Sequence, residues 1–168
     1  EIALLSSFKI NTFHWHLTEN QAWRLESRLY PQLNAAQNMQ REKGKFYTLD
    51  EARDLVEFCR KHNVLLIPEI DMPGHMIAAI AAYPELSCNG KPISVDTNAG
   101  IHKTILCAGN EKVFDFCFDV IDEGCELFPY EYFHSGGDEA PKNRWDVCPK
   151  CKERIREEEL KDSEELQG

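Results

Sequence analysis

A short apolar run at residues 64–67, Val-Leu-Leu-Ile, restricts the folds open to this chain more than any other feature. An unbroken run of this kind is typical of a parallel β-strand that is buried on both faces. Before it, Thr48 and Glu51 form a capping-box pattern, and the apolar residues that follow recur at helical spacing. Residues 10–16 alternate as a strand does, with Thr12, His14 and His16 on one face. Strand, helix and strand in this order form a βαβ unit, so the sequence predicts an α/β fold.

The other segments are predicted from the same periodicities and from the positions of Gly and Pro, which interrupt helices and strands. Residues 111–128 carry the pattern of a second strong helix, and residues 130–133 are an aromatic run typical of a strand. The remaining predictions are a helix end at 3–10, a loop at 18–23, a short helix at 26–33 interrupted by Pro31, a surface loop at 34–46, a helix at 76–82, a long loop at 87–109 and a charged helix after Pro149.

Composition excludes several classes of partner. The net charge of −10 argues against a nucleic-acid or anionic-membrane partner, since both require a basic surface. No run of 18 or more apolar residues is present, so no membrane span is expected. The 42% hydrophobic content is enough for a core, and the 168 residues predict a single domain, 1–168.

Residues 134–139, His-Ser-Gly-Gly-Asp-Glu, are an unusual sequence to follow a strand. Gly-Gly weakens a strand end and often marks close approach of backbone or ligand. Neighbouring residues on an extended backbone point to opposite faces, so Asp138 and Glu139 are not expected to oppose each other across one bond. Ordinary glycosidases place their two carboxyl groups about 5 to 10 Å apart on either side of that bond. The segment predicts the acid end of a catalytic site. The alternative is that Asp138 and Glu139 cap the next helix.

Three stretches in order resemble family 20 glycoside hydrolases, the β-N-acetylhexosaminidases. Residues 134–139 resemble that family's His-x-Gly-Gly-Asp-Glu signature, and residues 11–24 and 68–75 resemble two further family segments. The resemblance implies a fold of the (β/α)8 TIM-barrel type, with parallel strands that alternate with helices. Such a barrel typically needs about 250 residues, so we expect only part of the catalytic barrel in this chain.

The resemblance also implies a reaction, the hydrolysis of terminal β-linked N-acetylhexosamine (GlcNAc or GalNAc) by a substrate-assisted retaining mechanism. Glu139 would be the general acid and Asp138 would hold the acetamido group of the substrate. His75, Glu19 and His134 would lie around the bound sugar. The implied partner is an N-acetylhexosamine-containing oligosaccharide or glycoconjugate, and no cofactor and no metal are expected.

Two further expectations follow from the resemblance. The family's substrate-clamping Arg, its aromatic cage and its Tyr would lie outside residues 1–168, so we predict very low or no turnover for this chain alone. A periplasmic, secreted or lysosomal-type compartment would suit the family, although the sequence leaves the compartment undecided. Trp23 follows the first strand, where an aromatic side chain either stacks on a sugar or packs in the core.

Two rival functions remain open. His14 and His16 share a strand face and, with His75, Asp71, Asp138 and Glu139, suggest a metal-dependent barrel hydrolase. In the other interpretation these histidines fill a polar layer and orient carboxylates. The second rival is a non-catalytic fragment that forms an oligomer through the unpaired edges of an unclosed sheet.

The seven cysteines are an odd number, and Cys148 and Cys151 form one Cys-x-x-Cys motif. A zinc site needs a second pair or nearby histidines, and none follows in the sequence. The motif is therefore interpreted as a loop-to-helix junction. Cys88 and Cys107 flank the long loop and would be able to form a disulfide in an oxidising compartment. The remaining cysteines are expected in helix cores: Cys59, Cys117 and Cys125.

Overall fold

The computed structural model describes residues 1–95, 98 and 100–168. Its α-helices are α1 (Ile2–Ser7), α2 (Leu49–Lys61), α3 (Ile77–Ala82), α4 (Glu111–Leu127) and α5 (Pro149–Glu157). Its strands are β1 (Thr12–His16), β2 (Thr18–Glu19), β3 (Ala22–Trp23) and β4 (Leu65–Glu69). None of the described helices is long and apolar enough to cross a membrane.

The predicted βαβ unit is confirmed. Strands β1 and β4 pair in parallel, in a register that sets Thr12 opposite Leu65 and His16 opposite Glu69, and α2 connects them. The capping box at the start of α2 is also present. Oγ1 of Thr48 accepts a hydrogen bond from the backbone N–H of Glu51 at 3.2 Å, and the Glu51 carboxylate accepts one from the backbone N–H of Thr48 at 2.8 Å. This reciprocal pair satisfies two N–H groups that a helix start otherwise leaves without partners.

The predicted aromatic strand at 130–133 is wrong, because parallel pairing with β4 begins only at His134. The backbone N–H of His134 donates to the carbonyl of Pro68 at 3.0 Å, and His134 in turn accepts from Ile70 at 3.1 Å. Proline has no backbone N–H, so Pro68 cannot donate the ladder bond that would extend the pairing toward residue 132. The chain therefore contributes a third parallel segment whose pairing is confined to residues 134–135.

Two other predicted segments differ from the structure. Residues 18–23, expected as a loop, form a tight antiparallel pair between β2 and β3. Residues 26–33, expected as a short helix, are mostly irregular and end in a 3₁₀ turn, Pro31–Asn34. The carboxylate of Glu123 on α4 accepts hydrogen bonds from the hydroxyl of Ser27 at 2.5 Å and the backbone N–H of Arg28 at 2.9 Å. These bonds hold the segment against α4, and Pro31 opens the turn that follows.

The buried apolar side chains of the described residues form two clusters. The first lies among α3, α4 and the loops around them and includes Trp23, Ile70, Ile80, Leu106, Phe116 and Trp145. The second lies beneath α1 and α2 and includes Ile2, Leu17, Ala52, Val64, Leu66 and Phe128. Phe13 and Trp15 of β1 pack against the second cluster, whereas Thr12, His14 and His16 are exposed. The predicted alternation of β1 is confirmed, and it leaves one polar face of the sheet open.

The cysteines lie partly as predicted. Cys59 is buried in α2 as expected, but Cys125 is exposed. Of the predicted loop at 87–109, residues 96, 97 and 99 lie outside the described residues. The ends of this loop meet, because Ser87 bridges Leu106 in an antiparallel sense and the N–H of Cys107 donates to the carbonyl of Leu86 at 2.8 Å. This closure brings the loop cysteines to the Cys-x-x-Cys motif, which sequence proximity alone did not predict.

Candidate active site

A polar cavity of ≈ 550 Å³ lies at the carboxyl ends of the parallel strands. Active sites collect at this end of parallel sheets because the loops that follow the strands meet there. The cavity holds every site residue that the sequence predicted. Its lining consists of His14, His16, Glu19, Glu69, Asp71, His75, His134, Asp138 and Glu139.

Glu69, at the end of β4, is the central buried charge of the cavity, with a side chain only 7% exposed. Its carboxylate contacts three imidazoles, Nδ1 of His16 at 2.9 Å, Nε2 of His14 at 2.7 Å and Nδ1 of His134 at 3.3 Å. Burial raises the pKa of Glu69, but the hydrogen bond from His16 and the neighbouring histidine charges outweigh burial and lower this pKa. Glu69 and Asp71 bracket the carboxyl end of this apolar strand in the sequence, but no role was predicted for Glu69.

A second chain of contacts links Glu19, His75 and Glu139. Nδ1 of His75 lies 2.8 Å from Glu19, and its Nε2 lies 3.4 Å from a carboxylate oxygen of Glu139. The backbone N–H of Asn20 donates to Glu19 at 2.6 Å, and the Asn20 side chain lies 3.4 Å from His75. Burial lowers the pKa of His75, but the hydrogen bond to Glu19 and the surrounding carboxylates raise it overall. Both ring nitrogens of His75 lie near a carboxylate, an arrangement that suits an imidazole donating from each nitrogen.

The close approach of Asp71 requires glycine at position 136 of the signature. The backbone N–H of Gly137 donates to Oδ1 of Asp71 at 2.9 Å. A Cβ atom at Gly136 would lie 1.8 Å from that same oxygen, and Gly136 has a φ of +68°, which disfavours a side chain. Burial raises the pKa of Asp71, and the Gly137 hydrogen bond opposes that change. Gly74 meets the same turn from the other side, since a Cβ there would lie 2.7 Å from the carbonyl oxygen of Asp138.

Asp138 and Glu139 both line the cavity, contrary to the expectation that neighbours on an extended backbone point to opposite faces. The backbone here is not extended, because Gly137 has a φ of +117° and Glu139 a φ of +42°. His75 is also left-handed, with a φ of +53°. Left-handed non-glycine residues cost energy and are concentrated at functional sites. The capping alternative does not fit, since the next helical turn, Lys142–Val147, begins after Pro141 without a side-chain cap.

The positions of Trp23 and of the proposed metal ligands decide between their alternative roles. Trp23 is 2% exposed and packs edge-on against Phe116, with ring centroids 6.0 Å apart, so it is a core residue. Of the histidines and carboxylates proposed for a metal centre, the described part of the chain brings His14, with Glu69 and His134, within 4.8 Å of one another. These groups contact one another directly, which supports the interpretation that the histidines orient a carboxylate.

Comparison with known proteins identifies a family. A family model described as glycosyl hydrolase family 20, catalytic domain, matches residues 1–168. A beta-hexosaminidase of Porphyromonas gingivalis is 46% identical over 99% of this chain and 22% of that protein. A beta-hexosaminidase of Akkermansia muciniphila is 38% identical over 98% of this chain and 35% of that protein. The chain thus spans only about a fifth to a third of the length of these relatives.

Solved structures show the fold. The crystal structure of beta-N-acetylhexosaminidase from Bacteroides fragilis matches with a TM-score of 0.88 and 42% identity, over 99% of this chain and 33% of that chain. The Flavobacterium johnsoniae chitobiase matches with a TM-score of 0.91 and 38% identity, over 99% and 25%. The strands and helices described above are accordingly part of a (β/α)8 barrel, as predicted.

The contacts of His16 predict a measurable response to pH. The carboxylates of Glu19, 3.6 Å from Nε2, and Glu69, 2.9 Å from Nδ1, raise the pKa of His16 from 6.5 to about 9 against the effect of partial burial. A raised histidine pKa stabilises the fold below about pH 6.5, and this contribution is lost as the pH rises through about 9. We expect the free energy of unfolding to fall more over this interval in the wild type than in His16→Gln.

NMR titration of His16 tests whether Glu19 raises the pKa of this histidine. In Glu19→Gln the titration of His16 should move down from about 9 by roughly one unit or more, because an opposite charge is lost. The matched control is Glu42→Gln, which removes an exposed carboxylate that does not line the cavity. An unchanged His16 titration in Glu19→Gln would show that this contact does not hold the proton.

Proposed function

Because the chain belongs to glycosyl hydrolase family 20, we propose that the protein containing it hydrolyses terminal β-linked N-acetylhexosamine residues, GlcNAc or GalNAc, of glycans. One observation carries this proposal: some carboxylates of the cavity are buried and hydrogen-bonded, whereas others are exposed. Glu69 and Asp71 are both buried. Glu69 is hydrogen-bonded to His16, and Asp71 accepts a hydrogen bond from the backbone N–H of Gly137. Among the described residues that line the cavity, Asp138 and Glu139 are the two exposed carboxylates, and they lie on one turn.

Two adjacent carboxylates suit a reaction in which the substrate provides the nucleophile. In the first step the acetamido carbonyl oxygen attacks the anomeric carbon while the glycosidic bond breaks, and its electron pair goes to the leaving oxygen. Glu139 gives its proton to that oxygen. Asp138 accepts a hydrogen bond from the acetamido N–H and offsets the positive charge of the oxazolinium intermediate. In the second step Glu139 takes a proton from water, which adds to the anomeric carbon and restores the acetamido group with retention.

The neighbouring residues are proposed to position this acid. His75 lies between the carboxylates of Glu19 and Glu139, with its nitrogens 2.8 and 3.4 Å from them. A protonated His75 held by Glu19 would fix the Glu139 carboxyl group in the cavity. His134 is 46% exposed and lies against the ring of His14, with centroids 4.7 Å apart. We propose that His134, held in this way, contacts the bound sugar.

Substitution of the two exposed carboxylates in the full-length protein tests the roles. General acid catalysis contributes about 10²–10⁴-fold, so Glu139→Ala should lower kcat/KM by that factor on an alkyl glycoside of N-acetylglucosamine. A dinitrophenyl leaving group departs without protonation, and kcat/KM for that substrate should be largely retained. Asp138→Ala should lower kcat/KM by about 10²–10³-fold on both substrates, because charge stabilisation is lost whatever the leaving group.

The control is Glu131→Ala, which removes an exposed carboxylate that precedes the signature and does not line the cavity. It should retain the wild-type kcat/KM on both substrates. Wild-type rates in both Asp138→Ala and Glu139→Ala would refute the proposed function, because the signature would then have only a structural role.

The 168 residues on their own are proposed to be nearly inactive. The cavity is open to solvent, since the side chains of His14, His16, His134 and Glu139 are 49%, 42%, 46% and 48% exposed. Water in the cavity screens charges and leaves the sugar poorly held. We expect the isolated chain to hydrolyse p-nitrophenyl N-acetylglucosaminide about 10²-fold or more slowly than the full-length protein, and comparable rates would contradict this expectation.

We also propose that the isolated chain associates with itself through an open sheet edge. Among the described strands, β1 pairs only with β4, so its other edge presents unpaired backbone groups. Phe8 and Ile10 precede that edge and are 71% and 45% exposed. Light scattering should show species larger than a monomer for the isolated chain, and Thr12→Pro, which removes an edge donor, should reduce them. A monodisperse monomer at all concentrations would disprove the association.

A further inference from the structure

Four cysteines from distant parts of the sequence meet at one point outside the candidate active site. Cys88 and Cys107 come from the two ends of the long loop, and Cys148 and Cys151 come from the start of α5. Their sulfur atoms all lie within 4.8 Å of one another. Cys107, Cys148 and Cys151 are buried and Cys88 is partly buried, and all four thiols are free.

The spacing of the sulfur atoms fits a tetrahedral metal ion. Zinc–sulfur bonds of about 2.3 Å place the corners of a tetrahedron about 3.8 Å apart. The observed separations are 3.9 Å between Cys88 and Cys151, 3.8 Å between Cys107 and Cys148, and 3.7 Å between Cys107 and Cys151. These distances are far longer than the roughly 2.05 Å of a disulfide bond.

The backbone around the cluster is shaped to support thiolates. The N–H of Gly109 hydrogen-bonds toward the sulfurs of Cys107 and Cys151. A Cβ atom at Gly109 would lie 2.2 Å from the carbonyl carbon of Lys150, so only glycine lets these two segments approach. Cys148 is the N-cap of α5, with Pro149 in the first turn, and the helix N-terminus favours negative charge there. Backbone donors and helix termini of this kind orient metal ligands and stabilise their charge.

We propose that Cys88, Cys107, Cys148 and Cys151 bind one Zn²⁺ ion as a closed structural site. Each thiol loses its proton to solvent as its sulfur–zinc bond forms, so four protons leave for one metal ion bound. Four thiolate ligands fill the tetrahedron and leave no position for water or substrate, which is typical of structural zinc. The tetrahedral all-sulfur set favours zinc over harder cations such as Mg²⁺.

The position of the site indicates which segments of the chain the ion would hold together. The N–H of Leu106 donates to the carbonyl of Pro73 at 3.0 Å, and the indole of Trp145 donates to the carbonyl of Leu106 at 2.8 Å. Leu106 precedes the ligand Cys107, and Pro73 lies two residues before His75. The ion would thus clamp the long loop to α5 and support the turn that carries His75, without itself contacting the active-site cavity.

Metal analysis of the full-length protein, purified with reductant and without chelator, tests the proposal. We expect about one zinc per chain by elemental mass spectrometry, and its release to a colorimetric chelator once an organomercurial has titrated about four thiols. Zinc-free protein refilled with Co²⁺ should develop thiolate-to-cobalt charge-transfer absorption and the intense visible bands of a tetrahedral ion. Removal of zinc should lower Tm, because metal binding free energy is also folding free energy.

Variants separate this site from the other cysteines. Cys107→Ser and Cys148→Ser should lose at least about tenfold in zinc content, whereas Cys125→Ser, which removes an exposed cysteine outside the cluster, should retain it. The cobalt spectrum and thiol count of the wild type decide the question if a ligand variant fails to fold. Three results would overturn the proposal: folded protein with free thiols and no stoichiometric metal, iron in place of zinc, or disulfides among the four cysteines by mass spectrometry.

Discussion

The contact between the Asp71 carboxylate and the Gly136–Gly137 backbone is the constraint on which the site depends. The carboxylate accepts the Gly137 N–H at 2.9 Å and occupies the space that a side chain at residue 136 would need. Because Asp71 lies just beyond β4, this contact fixes the signature turn over the end of that strand. The left-handed backbone that follows then brings Asp138 and Glu139 into one cavity. A site built from consecutive carboxylates therefore depends on glycine at a particular point.

Charge compensation is the second requirement of such a cavity. Several carboxylates within one small volume would repel one another and would be costly to bury without partners. Histidines offset this cost in two groups, which His16 joins because its Nε2 lies 3.6 Å from Glu19. One surrounds Glu69, and the other is His75, which lies between Glu19 and Glu139. The raised pKa of about 9 at His16 and the raised pKa of His75 have this common origin. The proposed acid remains exposed, where a substrate can reach it.

The long loop at residues 87–109 supports the cavity from outside. Its ends are joined by backbone hydrogen bonds, and one of these ends supports Pro73, next to the glycine that packs on Asp138. A loop of this length has little regular structure to fix it, so its order depends on its anchors. The four-cysteine cluster lies at that anchor point. A metal ion there would contribute order to the loop and, through it, to the geometry of the active site.

Sequence periodicity by itself determined the βαβ unit, the capping box of α2 and the polar face of β1, because each depends on residues a few positions apart. The signature motifs similarly indicated the family and its site residues. Only the tertiary structure decided the rest. It showed that Pro68 shortens the third strand, that Glu69 is the centre of the histidine cluster, and that distant cysteines join the Cys-x-x-Cys motif. Such contacts depend on which distant segments pack together, and local sequence patterns do not specify that packing.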